Sequence, residues 1–208
     1  MTKWRHYWRP QTGSLVTAIA FAWAGIEPEA ILVEKKSSQH EPDFLALNPA
    51  AQVPVAIMPC GTVLAETAAI VLAIDEARPG AGLLPPAGSS ERGTALRWLM
   101  FLAVAGYPAA LRYYYADRFT ADASEAGIEA VRAAASRESD RIFAIVAGAM
   151  RGPFLFGETP TIVDAYAAML ADWHEPAQDL PVFRTLRQAI LAHPVIGETW
   201  RRHEQSSE

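Results

Sequence analysis

At 208 residues, with 51% hydrophobic and 20% charged residues, the chain is long enough for one large domain or two small ones. A single cysteine, Cys60, excludes an internal disulfide framework and any multi-cysteine zinc site. A net charge of −5, a pI near 5.6 and scattered basic residues advertise no surface for nucleic acid, so none is expected as a partner.

Apolar stretches such as Trp98–Ala105 are short, and no uninterrupted run reaches the roughly 20 residues of a membrane helix, so no membrane association is expected. The opening Met1-Thr2-Lys3-Trp4-Arg5-His6 leads into no compact apolar stretch with a cleavage site. A cytoplasmic setting is the default expectation.

In chain order, Trp4–Trp8 reads as a strand, Ser14 as an N-cap, Leu15–Ala24 as a helix stopped by Gly25, and Ala30–Val33 as a second strand. A polar connection with Lys35, Lys36 and His40 follows. Val55–Met58 and Val63–Ala65 are then joined by Pro59-Cys60-Gly61-Thr62, which has hairpin chemistry, and a helix over Glu66–Ala77 comes directly after. A β-α-β unit followed by a hairpin predicts a mixed four-stranded sheet covered by helices. The Pro- and Gly-rich stretch from Arg78 to Ser90 predicts a linker. Beyond it the chain is alanine-rich with helical spacing: a helix from Ser90 or Glu91 towards Tyr115, kinked at Pro108, another over Ser124–Ala149, a third from Thr161, and shorter ones from Val182 and Val195. The expected domains are 1–79, a linker over 80–89, and an all-helical 90–208.

Chemistry concentrates in Asn48-Pro49-Ala50-Ala51-Gln52-Val53-Pro54, followed by Glu66-Thr67 at a helix start. An X-Pro bond costs only about 0.5–1 kcal/mol in its cis form, and a cis Pro54 would turn the Val53 backbone outward as an edge for a peptide ligand. At the helix start, free N–H groups, the helix dipole and a hydroxyl favour a carboxylate, while Glu66 can accept from an ammonium. Read separately, these are a turn proline and a capping pair.

Together and in this order they resemble the glutathione transferase family. The resemblance implies that Gln52, Val53 and Pro54 hold the cysteinyl part of glutathione and Glu66 and Thr67 its γ-glutamyl end, with Thr67 where the family usually has Ser. Thr161 and Asp164 form a capping box that is similar to the helix-capping motif of the family's C-terminal domain. The likeness extends over Tyr7–Arg78, Trp98–Phe119 and Leu155 to about His203. It implies an α/β thioredoxin-like N-terminal domain, an all-α C-terminal domain, glutathione as co-substrate without a metal, and a homodimer.

The pattern looks like bacterial beta-type members, with three departures: Gly13 where these carry Cys, Met100 where they often have Asn, and Tyr107 where they often have His. A glutathione thiolate then needs another donor, since a free thiol has a pKa near 8.5. Ser14 either caps its helix or points its hydroxyl at the sulfur; Thr12 is a second hydroxyl; Tyr7 is a phenol of the kind other branches use, or a core residue; Arg9 adds positive potential or is solvated. Lys36 or His40 can meet the glycyl carboxylate. Tyr107 and the run Arg112-Tyr113-Tyr114-Tyr115 line an apolar co-substrate pocket or simply pack. Cys60 reads as an exposed turn thiol, and His174 and His193 have no partner at metal spacing. The implied activity is conjugation of the glutathione thiolate to a small apolar electrophile. A glutathione-dependent isomerase or reductase, or a non-catalytic binding protein of the same fold, stays open.

Overall fold

The computed structural model describes residues 3–35 and 38–206. They form two compact units: residues 1–86 with 191–208, and residues 87–190.

The first unit is built on four short strands, β1 (Arg5–Trp8), β2 (Glu29–Leu32), β3 (Val55–Ile57) and β4 (Val63–Ala65), in the order β2-β1-β3-β4. β1 and β2 are parallel, and β3 is antiparallel to both β1 and β4. This is the mixed sheet expected from a β-α-β unit and a hairpin, and it is the thioredoxin-like domain. Strand alternation sorts β1 onto two faces. His6 turns towards α1 (Ser14–Trp23), where its ring meets Phe21 and its Nε2 shares a 2.8 Å hydrogen bond with Thr17. Tyr7 turns the other way, onto Phe44 of α2 (Pro42–Leu47) and the cluster of Val33, Phe44, Val53 and Val55.

The first face is closed by α1 and α3 (Thr67–Ala77), which bury Val16, Ile19, Ala20 and Phe21 against Ile70, Val71 and Ile74. Burying each such side chain contributes about 1.5–3 kcal/mol. The short α2 falls where only an irregular link was expected: Pro42 at its first turn fixes φ, and Phe44 supplies the one buried anchor.

The second unit is all-helical. α4 (Ser90–Phe101) starts at an Ser89 cap that accepts from the Arg92 N–H, and α6 (Glu125–Ala149) at a Ser124 cap that accepts from the Gly127 N–H. Between α4 and α5 (Tyr107–Tyr114) the helix does not break at Pro108. Residues 102–106 instead form a π turn, in which the Tyr107 N–H reaches the Leu102 carbonyl. Pro108 has no N–H and its ring crowds the carbonyl four residues back, so the widened turn absorbs the misfit that predicted a kink. A Cβ at Gly106, in this turn, would sit 2.9 Å from a Leu170 side-chain methyl. The whole segment Ser90–Tyr114 is, by length and composition alone, apolar enough to cross a membrane, which a count of uninterrupted apolar residues does not reveal. Its Ala95, Trp98, Leu99, Leu102 and Ala109 are buried, and it packs on α6 and on α7 (Ile162–Asp172), as a bundle helix does.

α7 begins at the expected capping box of Thr161 and Asp164. α8 (Glu175–Gln178) and α9 (Pro181–Ala192) complete this unit as far as Ile190. The last helix, α10 (Pro194–Gln205), follows the helical half in sequence but belongs with the first unit, packing on α1 and burying Ile196 and Trp200. Sequence gives α10 its apolar stripe but not the identity of the surface that stripe covers.

Candidate functional site

Register brings the sequence motifs to one end of the sheet. Tyr7 stands opposite Val55, and Val55 opposite Ala65. At this end β1 stops at Trp8, Pro54 leads into β3 and Glu66 follows β4. The loop after β1, the turn before β3 and the start of α3 therefore converge, although 52 residues separate Ser14 from Glu66 in sequence.

The turn before β3 is clamped by Asn48. Its Nδ2 donates to the Gln52 carbonyl at 2.8 Å, and its Oδ1 accepts from the Ala50 N–H at 3.2 Å, while Ala51 takes a positive φ of 55°. Asn48 is buried, and an Asn ahead of a turn is the sequence signal that marks this clamp. The clamp leads into a cis Val53–Pro54 bond. Gln52 is exposed, and the Val53 side chain joins the α2-side core. Among the described residues the Val53 N–H and C=O have no hydrogen-bond partner. An unpaired backbone edge of this kind can accept a second peptide.

Beside it, Glu66 is the exposed N-cap residue of α3 and makes no side-chain cap bond; its backbone sits at φ 70°, ψ 122°. Non-glycine residues enter this region at a cost of about 1–3 kcal/mol, and such strain gathers where a site dictates the backbone. Thr67 is buried, and its hydroxyl has no partner among the described residues. The first intrahelical bond runs from the Ile70 N–H to the Glu66 carbonyl, so the N–H groups just ahead of it remain available to an anion.

The third segment, Arg9–Ser14, is closed on itself. Gly13, not Ser14, is the N-cap of α1, and it contributes no side chain. Ser14 is the first helical residue and is 0% exposed. Its Oγ accepts from the Arg9 N–H at 3.3 Å and lies 2.9 Å from Thr12 Oγ1. Thr12 in turn donates to the Arg9 carbonyl at 2.7 Å and accepts from the Ser14 N–H at 3.2 Å. Arg9 is half-buried and its guanidinium donates to Gln39 Oε1 at 2.7 Å; Gln39 Nε2 and His40 Nε2 are 2.9 Å apart. Tyr7 is half-buried, its ring 5.9 Å from that of Phe44. Lys36 lies outside the described residues.

Tyr107 belongs to the other unit, where its ring meets Trp173 edge-on at 5.6 Å, and the Tyr114 hydroxyl donates to the Trp173 carbonyl at 2.9 Å. Arg112 pairs with Glu138 at 2.5 Å. Cys60 is an exposed turn thiol, lowered in pKa chiefly by its hydrogen bond with Thr62.

Residues 14–77, which carry the turn before β3 and the start of α3, match the family model for the glutathione S-transferase N-terminal domain. An uncharacterised GST-like protein of Escherichia coli, YncG, is 30% identical over 206 residues, covering 95% of this chain and 97% of that one. The chain belongs to the glutathione transferase family. A second E. coli relative, glutathione S-transferase GstA, is 27% identical over 80% of each chain. Among solved structures, a glutathione transferase homologue from Sulfitobacter with bound glutathione superposes with a TM-score of 0.86 at 23% identity, over 97% of this chain and 99% of that one. The transferase fold, a thioredoxin-like domain followed by helices, thus extends along the whole chain.

Proposed function

We propose that this transferase-family protein binds glutathione at the end of its sheet and transfers the glutathione sulfur to an electrophilic carbon of a small apolar co-substrate. In that step the thiolate forms a C–S bond while the leaving group departs with its electron pair. The observation that carries the reading is the unpaired Val53 backbone next to an open, uncapped start of α3. The cysteinyl unit pairs with Val53 behind Gln52 and Pro54. The γ-glutamyl carboxylate takes the Thr67 hydroxyl and the first N–H groups of α3, and Glu66 takes the ammonium. Lys36 or His40 of the β2–α2 connection meets the glycyl end, and Tyr107 lines the co-substrate pocket. The thiol then faces the loop Arg9–Ser14, where Ser14 is the hydroxyl that holds the thiolate and Tyr7 the phenol nearest in sequence. A homodimer in the cytoplasm is the assembly and setting that go with this reading.

One observation favours a second reading. Thr12 Oγ1 donates within the loop, to the Arg9 carbonyl and towards Ser14 Oγ, which also accepts from the Arg9 N–H. A sulfur must enter this closed loop to be stabilised, and a glutathione-binding protein without turnover needs no such rearrangement. Calorimetric titration with glutathione, together with a spectroscopic titration of the bound thiol, separates the two. Glu66→Ala and Thr67→Ala are expected to weaken binding about tenfold each, the loss of a charge-assisted bond or two. Ser14→Ala leaves affinity nearly unchanged and raises the bound thiol's pKa. Unaltered affinity in the first two variants rejects the site. Normal affinity with no consumption of aryl halides, epoxides or peroxides selects the binding protein.

A further inference from the structure

The C-terminal helix α10 is fastened to the first unit by two imidazoles with one shared requirement. His193 is its N-cap: Nδ1 accepts from the Ile196 N–H at 3.3 Å, and the ring lies 5.2 Å from that of Trp23 on α1. Near the other end, His203 is 6% exposed, with its ring 5.2 Å from Trp8 of β1. Its Nε2 is buried and has no hydrogen-bond partner among the described residues. His6 of β1 is close enough for the two imidazoles to disfavour each other's charge.

Protonation undoes both fastenings. An imidazolium has no acceptor nitrogen, so a charged His193 cannot cap. A charged His203 would be a buried cation whose N–H has nowhere to donate. The surrounding elements offer no relief. α1 carries no charged side chain over Ser14–Trp23. β1 brings only Arg5, which is exposed, and His6. On α10 itself Arg201 and Arg202 are exposed, Glu198 is engaged by Arg202, and Glu204 accepts from the Trp200 indole. Gly197 keeps the start of the helix tight against the end of α9, since a Cβ there would lie 2.1 Å from the Leu191 carbonyl oxygen.

We propose that His193 and His203 make α10 a proton-sensitive latch, docked on α1 while both rings are neutral and released on acidification. Burial lowers His203 from 6.5 to about 4 and lowers His193 as well; burial, with His203 adding to it, takes His6 to about 3. The released helix binds protons once the pH falls below 6.5, whereas the docked one resists down to about 4. Docking is therefore complete above the first value and weakens as pH falls from it towards the second, by up to about tenfold per pH unit for His203, with His193 acting in the same direction. Release would uncover α1, whose first turn borders the proposed thiol-binding loop.

Amide hydrogen exchange of the full chain, corrected for intrinsic rates, tests the latch between about pH 7.5 and about pH 5. Protection of α10 peptides is expected to fall at least about tenfold while α6 holds its own, and to stay level in the double variant His193→Asn/His203→Phe. Asn keeps a capping acceptor that does not titrate. PH-independent protection of α10, equal losses in α6 and α10, or the same acid loss in the double variant overturns the proposal. Should the double variant not fold, His193→Asn alone must flatten the pH slope measurably; an unchanged slope overturns it equally.

Discussion

Two helices of this protein begin with a threonine beside a carboxylate and use the pair in opposite ways. At α7 everything is consumed. The buried Asp164 carboxylate accepts from the Leu155 N–H at 2.6 Å, the Thr161 N–H at 2.7 Å and the Thr161 hydroxyl at 2.8 Å, while its own N–H reaches the Thr161 carbonyl. Burial raises the carboxyl's pKa, and these donors work against that rise. At α3 nothing is consumed: Glu66 is exposed with no cap bond, and the Thr67 hydroxyl has no partner among the described residues. The chain ahead of each helix makes the difference. Before α7 it folds back, with Phe154 bridging Gly157, and so delivers the Leu155 N–H to Asp164. Before α3, strand β4 runs straight in, and the sharp change of direction falls on Glu66 itself. A helix start built for stability spends its donors inside the chain; one built for a ligand leaves them open.

The largest effect should come from breaking the closed start. Asp164→Ala strands two backbone N–H groups and a hydroxyl in a buried place, at a cost of about 3–5 kcal/mol. Thermal unfolding should fall by about 10 °C for a chain of this size. Glutathione affinity of the remaining folded protein should not change, because the pair at α3 is untouched. A loss below about 1 kcal/mol would mean that Asp164 is not the fastening that its three short contacts describe.

A smaller effect of opposite sign is expected at the open start. Glycine adopts φ 70° without the Cβ penalty that Glu66 bears. Glu66→Gly should therefore raise stability by about 0.5–1 kcal/mol, the relieved strain less the extra entropy of an unfolded glycine, while weakening glutathione binding. A variant both more stable and poorer at binding would separate the ligand's demand on this backbone from the fold's. If stability falls, Glu66 has a structural duty that its exposure conceals.

How much of this was legible beforehand depends on whether a feature is local. The hairpin at Pro59–Thr62 and the Thr161/Asp164 box announce themselves because turn and cap chemistry are fixed by a few adjacent residues. The candidate site at the sheet end rests on the Val53-Pro54 and Glu66-Thr67 spacing, which matches one strand pair and the turn between. The part of Ser14 was not legible. A serine ahead of an apolar run reads as a cap, yet Gly13 caps, and the Ser14 hydroxyl is turned back by Thr12 and Arg9 across a loop whose course no periodicity reveals. The π turn at 102–106 escaped for a similar reason, since Pro108 signals a misfit without saying whether the helix bends or widens. The partnership of α10 with α1, and with it the burial of His6 and His203, is long-range. An amphipathic stripe names its own buried face and never the surface opposite.

The smallest predicted effect concerns the methyl group that distinguishes Thr67 from serine. What the proposed site asks of this residue is a hydroxyl at the first turn of α3, and threonine and serine present the same donor and acceptor. Thr67→Ser should leave glutathione affinity within about twofold, with a stability loss of about 0.5–1 kcal/mol from the buried methyl. Thr67→Val keeps the branched shape and removes only the hydroxyl, and should weaken binding about tenfold while leaving the fold intact. The pair of substitutions isolates the oxygen from the packing around it. Should Val bind as well as Ser, the open hydroxyl at α3 contributes nothing to recognition, and its contrast with the closed Thr161 reduces to a difference in packing.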